Sequence, residues 1–223
     1  MEYKRHLPHF DHAGKIFFVT FRLYNSIVSS TAVSMKLART EAIDGIDDKL
    51  SEDEQRRKRN VIEAEYFKKY EGLLDHPTYG DRYLSEAECV NIMKDILHHL
   101  DGELYRLEAY CIMSNHVHIL IDTAIQLSDT EDFNPNALEY QHLYKIMQRI
   151  KGRSAHYLNL ARGTTGTTVW YPESYDRYIR NENHYNYTIN YLLNNPIKAN
   201  LVKNWTDWVG TYLRPCDDCD GGL

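Results

Sequence analysis

No stretch of the 223 residues approaches the roughly 20 consecutive apolar residues of a membrane-crossing helix. The N-terminus lacks a charged segment followed by an apolar one, so no secretory leader is read there and the expected location is the cytoplasm. Cysteine is scarce: four scattered residues are too few for a disulfide framework. Cys216 and Cys219 form a Cys-x-x-Cys pair, but no second pair accompanies it, so residues 216–223 read as a flexible acidic tail rather than half of a zinc site. Positive charge is also in deficit. A net charge of −6 argues against a chain whose whole surface binds nucleic acid. The deficit is uneven. Acidic residues concentrate at 41–54, 71–88, 129–139 and 217–220. The last third before the tail carries Lys145, Arg149, Lys151, Arg153, Arg162, Arg177, Arg180, Lys198 and Lys203. That asymmetry permits a local groove for a polyanion, and a solvated helix face explains the same cations. Internal repeats and low-complexity tracts are absent.

What is present is a chain 43% hydrophobic, long enough for one substantial core with an insertion. The β-branched and aromatic run from Lys15 to Leu23 follows Gly14 and predicts a first strand. Residues 30–49 are weakly helical in pattern. Glu52 to Leu74, rich in Glu, Arg and Lys, predicts a surface helix. His76-Pro-Thr-Tyr-Gly80 is a break. Ser85, with Glu88 three residues on, predicts a capping box for a helix whose stripe is Val90, Met93, Ile96, Leu97 and Leu100. Tyr105 to Met113 alternates as a strand, and Ser114-Asn115 is a tight turn into a further strand. Leu127 to Asn136 reads as a loop, Leu138 to Leu160 as a long helix, Gly163 to Thr168 as flexible. A last helical region runs from about Ser174 to Asn195 and stops at Pro196. This order predicts an α+β fold, an antiparallel sheet with helices packed on one side.

The strand after Ser114-Asn115 places His116 and His118 on either side of Val117. Side chains alternate along a strand, so both imidazoles leave one face while Val117, Ile119 and Ile121 anchor the other. Two imidazoles side by side make a partial metal site that needs a third element. Tyr187-Thr-Ile-Asn-Tyr-Leu-Leu-Asn-Asn-Pro196 offers one. At helical spacing Tyr185, Ile189, Leu192 and Leu193 form the core stripe, while Tyr191 and Asn195, four apart, share another face. A phenol is a poor nucleophile at neutral pH, and becomes useful against a phosphodiester when a divalent ion polarises the phosphate. An amphipathic helix with a boundary tyrosine accounts for the same pattern without chemistry. No general base stands out in the sequence.

The string Tyr110-Cys-Ile-Met-Ser-Asn-His-Val-His-Ile-Leu-Ile121, followed by Ile150-Lys-Gly152, Trp170, Tyr175-Asp-Arg-Tyr-Ile-Arg180 and Tyr191-Leu-Leu-Asn-Asn-Pro-Ile-Lys-Ala199, resembles the single-tyrosine transposases of the His-hydrophobe-His superfamily. Within them it is most similar to the REP-associated branch, which the opening His6-Leu-Pro-His-Phe10 and Phe17 to Leu23 also resemble. The resemblance spans residues 5 to 212. It implies a ferredoxin-like or RRM-like domain over residues 1–215 that nicks single-stranded DNA beside a hairpin. It further implies Mg²⁺ or Mn²⁺ on His116, His118 and Asn195, and a 5′-phosphotyrosine on Tyr191, with Tyr187 as the alternative nucleophile. Lys151, Arg153, Arg177 and Arg180 are then candidate DNA contacts, the two last lying three apart on a helix. Gly152 is a candidate for close helix packing, and Trp170 for the core or for base stacking. The state implied is a monomer or a homodimer. The chain departs from compact relatives in a helical insertion at 38–80, a candidate lid or DNA clamp, and in its acidity. The competing expectation is a regulator that binds structured single strands without cutting them.

Overall fold

The computed structural model describes residues 13–75, 79–127 and 140–215. Five antiparallel strands form one sheet: β1 (Ile16–Arg22), β2 (Arg106–Ile112), β3 (His116–Asp122), β4 (Tyr175–Tyr178) and β5 (Thr211–Leu213). Their spatial order is β4-β1-β3-β2-β5. Among the described residues there are five α-helices: α1 (Ser29–Asp44), α2 (Glu52–Asp75), α3 (Ala87–His99), α4 (Leu143–Ala161) and α5 (Glu182–Lys198). The four strands β4-β1-β3-β2, with α3 leading into β2 and α4 leading into β4, make the β-α-β-β-α-β arrangement of a ferredoxin-like unit. The expected α+β fold is the observed one.

Alternation along the strands sorts the two faces. Phe17, Val19 and Phe21 of β1 and Val117, Ile119 and Ile121 of β3 are buried together with Val90, Met93 and Leu97 of α3 and Ile146, Ile150 and Leu158 of α4. Trp170 belongs to this core: its ring meets Phe21 at 4.9 Å, and its Nε1 donates to Ser154 Oγ at 2.9 Å. The opposite face carries Phe18, Thr20 and Arg22 of β1 across from Leu120, His118 and His116 of β3. Leu192 and Leu193 of α5 pack there, and the second half of α2 closes the rest.

Several expectations are corrected. Ser85 lies in a 3-10 turn (Tyr83–Ser85) and α3 starts at Ala87 without a side-chain cap, because Ser85 Oγ donates back to Arg82 O. The reciprocal Ser-x-x-Glu pairing occurs instead at the head of α2, where Ser51 Oγ donates to Glu54 Oε2 at 2.6 Å. Helix α4 begins at Leu143 rather than 138. Residues 163–168 are fixed by Asn159, which accepts from both Thr164 Oγ1 and Thr167 Oγ1. The helix expected from Ser174 is first a strand: β4 adds to the free edge of β1, and four residues are too few for period to tell strand from helix. Pro196 does not stop α5. It falls in the last turn, at the loss of the bond its N–H would make to Leu192 O, and the helix runs to Lys198 with Ala199 as its cap and Asn200 at φ +55°. Strand β5 escaped sequence reading altogether. The loop at 127–136 and the Cys216/Cys219 tail lie outside the described residues, apart from Leu127.

Gly80 sits at φ +90°, and a Cβ there would fall 1.9 Å from Asn25 O. We expect Gly80→Ala to destabilise the protein by roughly 2 kcal/mol or more, measured by urea unfolding.

Candidate functional site

The Ser114-Asn115 turn closes with Met113 N donating to His116 O at 2.9 Å, which fixes the first histidine at the mouth of β3. His116 and His118 project from one face and are 1% and 0% exposed. Each ring is oriented through Nδ1. Asn115 Oδ1 lies 2.6 Å from His116 Nδ1, and Asn115 Nδ2 is already spent on Leu74 O at 3.1 Å. An amide so engaged turns its oxygen to the ring, so the proton belongs on His116 Nδ1 and the lone pair on Nε2. Thr20 Oγ1, 2.8 Å from His118 Nδ1, tethers the second ring, and its hydroxyl can donate or accept there. The two Nε2 atoms then face each other at 3.0 Å. Burial pushes His116 down to about 4 and His118 well below its ordinary value, the neighbouring His116 adding to the latter, so both are neutral at pH 7.

The third group comes from α2. Its last turn places Glu71, 3% exposed, with Oε2 3.4 Å from His118 Nε2, where it accepts a hydrogen bond from the Tyr191 hydroxyl. Burial holds the Glu71 carboxyl up at about 8, against the stabilising bond from Tyr191 and with Asp75 pushing the same way as burial. Burial first, and then Glu71, push the Tyr191 phenol far above its ordinary range. Two further ties fasten α2 over the site: Lys198 of α5 pairs with Asp75, and Asn115 reaches Leu74 O. The Tyr191 ring is packed by Phe18, Phe67 and His118, with centroids 5.7 to 5.8 Å away.

Glu71, His116 and His118 offer three ligand atoms within 4.8 Å of one another, all buried. The donor set fits a divalent ion. Two Nε2 lone pairs at 3.0 Å repel unless a proton or a cation lies between them. That spacing is also about what two neighbouring ligands of an octahedral ion show at bonds of about 2.1 Å. Glu71 Oε1 and Asn195 Oδ1 are buried without a partner. Asn195, 2% exposed, spends its Nδ2 on Tyr191 O at 2.9 Å, which leaves the amide oxygen as its available ligand atom.

The face shared by Tyr191 and Asn195, expected to lie off the core, is therefore enclosed by the sheet and α2, while Tyr187 is 70% exposed. The expected basic residues are dispersed. Lys151 Nζ donates to the carbonyls of Tyr171, Pro172 and Glu173, holding that strap against α4. Arg153 is exposed on α4, across the sheet from the histidines. Arg177 lies in β4 and Arg180 just beyond it, not on a helix, because β4 pairs with β1. Arg180 donates to Asn60 Oδ1 at 2.7 Å. A Cβ at Gly152 would meet nothing within 4 Å, so close packing does not require that glycine. Glu71 was not anticipated. A signal existed: Phe67, Tyr70 and Leu74 make an apolar stripe at helical spacing, and Glu71 is the carboxylate within it.

No protein-family model and no curated protein matches the chain. Among solved structures, it is similar to that of a REP-associated tyrosine transposase bound to a REP hairpin, at 15% identity and a TM-score of 0.48, over 95% of this chain and 81% of that one. At that identity no residue role passes from one to the other. No helix among the described residues is long and apolar enough to cross a membrane.

The cluster sets a pH dependence. The histidines bind protons more readily in the unfolded chain, so without metal they cost stability as pH falls from 6.5 towards 4. Glu71 binds its proton more readily when folded, so its contribution is lost as pH rises from 4.5 through 8. An ion must displace that proton. We expect the apparent affinity for Mn²⁺ to rise by up to about tenfold per pH unit between pH 6 and 8, read as a growing shift in thermal midpoint against an EDTA control.

Proposed function

We propose that this chain is a metal-dependent single-strand DNA endonuclease and strand transferase, cutting beside hairpins through a 5′-phosphotyrosine on Tyr191, as the tyrosine transposases it resembles in sequence do. The observation that carries this reading is a helix-borne phenol joined by one carboxylate to two buried, neutral, pre-oriented imidazoles. His116, His118 and the Asn195 amide oxygen would hold Mg²⁺ or Mn²⁺, both suited to mixed oxygen and nitrogen ligands. When bound, the ion supplies Lewis-acid polarisation of a phosphate oxygen. Phe18 and Phe67 keep the Tyr191 ring beside His118, which limits its orientation before attack. Tyr191 Oη attacks phosphorus and gives up its proton to solvent, the bond from phosphorus to the 3′-oxygen breaks, and that oxygen takes a proton from solvent and leaves as a hydroxyl.

In the closed arrangement the Glu71 carboxyl, kept protonated by burial, occupies this site. With the histidines at most 1% exposed, the last turn of α2 gives way before a phosphodiester reaches Tyr191, and the phosphate takes the place of the carboxyl. Arg153, Arg177 and Arg180 contact phosphates, and Lys151 acts through the strap that it holds. The state proposed is a monomer cutting in cis, with Tyr191 beside His118 of its own chain. The seal over the histidines also supports a second reading, a regulator that binds structured single strands and leaves them intact.

Incubation with labelled hairpin DNA and Mn²⁺, followed by a denaturing gel, separates the two. We expect a covalent adduct with the native chain and none with Tyr191→Phe, and at least a hundredfold less with His116→Ala. Cleavage persisting in Tyr191→Phe would remove the tyrosine mechanism; binding without cleavage would support the regulator. Mixing Tyr191→Phe with His116→Ala should restore nothing if cutting is in cis. Glu71→Ala should raise the adduct yield severalfold, and abolition instead would make the carboxylate a required ligand.

A further inference from the structure

One face of α2 changes character along its length. Its second half, with Phe67, Tyr70, Glu71 and Leu74, closes the histidine site. The first half continues the same row through Arg56, Arg59 and Glu63, and these line a cleft of about 560 Å³ against α1 and β4. In this half the row is charged and borders open volume, with Arg56 and Arg59 exposed. Five arginines line the cleft, Arg39, Arg56, Arg59, Arg177 and Arg180, together with Tyr175. Asp44, Glu52, Glu63 and Asp176 line it too, but they do not neutralise all of it. Arg39 is taken by Glu63 and Arg56 by Asp53, whereas Arg59 and Arg177 have no carboxylate partner among the described residues. The positive field reaches neighbouring groups: His184 is held below its ordinary value by burial first, then by Arg177 and Arg180.

The cleft and the histidine site share a wall. Tyr175 stands across from Thr20, which stands across from His118, so all three side chains leave the same sheet face. The Tyr175 ring stacks on Phe67 at 4.4 Å, and Phe67 in turn packs on Tyr191. A chain leaving Tyr191 towards the β4 edge therefore meets rings and guanidinium groups in succession.

We infer that the cleft between the α1–α2 helices and β4 is a binding groove for the single-stranded flank of a DNA substrate, with Arg59 and Arg177 on its phosphates and Tyr175 beside its bases. Interleaved cations and aromatic faces favour a single strand over a duplex, whose bases are not free to stack on side chains. This rests on the DNA reading above and assigns to the helical insertion a clamp of its own.

The test reads binding in the Tyr191→Phe protein, where no adduct forms, by fluorescence anisotropy of labelled oligo-dT across a salt series. Arg59→Glu and Arg177→Glu are made singly and together; Arg59 is exposed, so its variant keeps the fold. We expect the double variant to bind roughly tenfold more weakly at low salt, and the slope of log K against log salt to flatten by about 0.7 for each phosphate that no longer meets a cation. Unchanged affinity and slope in the Arg59→Glu protein would overturn the clamp, as would failure of the parent to bind oligo-dT. Absence of an adduct in the native chain, with arginine-dependent binding intact, would overturn the proposed chemistry and leave the clamp standing.

Discussion

The arrangement depends on one contact, the hydrogen bond from the Tyr191 hydroxyl to Glu71 over the His116/His118 pair. It joins three separately folded pieces of the chain: α5, which brings the phenol, α2, which brings the carboxylate, and β3, which brings the imidazoles. A carboxylate removed from water in this way is costly unless charge or hydrogen bonds compensate it. Here the phenol, the adjacent imidazole and the Lys198–Asp75 pair do so only in part, and one Glu71 oxygen stays without a partner. The closed site is thus poised: every donor that an ion needs is present, and each is held in its uncharged form by burial.

The acidity of the chain does not exclude a local site for a polyanion. The net charge of −6 is a property of the whole surface, whereas affinity for a polyanion is set where charges lack partners. Several arginines are neutralised locally, Arg39 by Glu63 and Arg214 by Asp101 among them. Arg59 and Arg177, which have no carboxylate partner among the described residues, lie beside β4, one aromatic wall from Tyr191. The acidic residues of α2 therefore mask a local field rather than contradict it.

Three strands were legible because they are buried: Lys15 to Leu23, Tyr105 to Met113 and the histidine strand are rich in apolar, β-branched and aromatic residues, as strands covered on both faces are. Helices α3 and α4 were legible from stripes of Val, Met, Leu and Ile. Strand β4 was not, because Tyr175 to Tyr178 is stabilised by pairing with β1, a partner more than 150 residues earlier in the chain, and no local period announces it. The helix through Pro196 failed for the converse reason. A local rule against proline in helices was outweighed by the packing of Leu192 and Leu193 on the sheet.

For the site, the sequence by itself determined which chemistry was at hand: two histidines two apart on a strand, and a tyrosine and an asparagine four apart on a helix. Those spacings fix relative direction within one element, since strand and helix periods are set by backbone sterics. What came to face them was decided only by tertiary structure. Glu71 lies 45 residues from His116 in a segment of Glu, Arg and Lys that has the composition of a solvated helix. Only the course of α2 across the sheet turns that carboxylate inward, where burial raises its affinity for a proton and places it against the tyrosine.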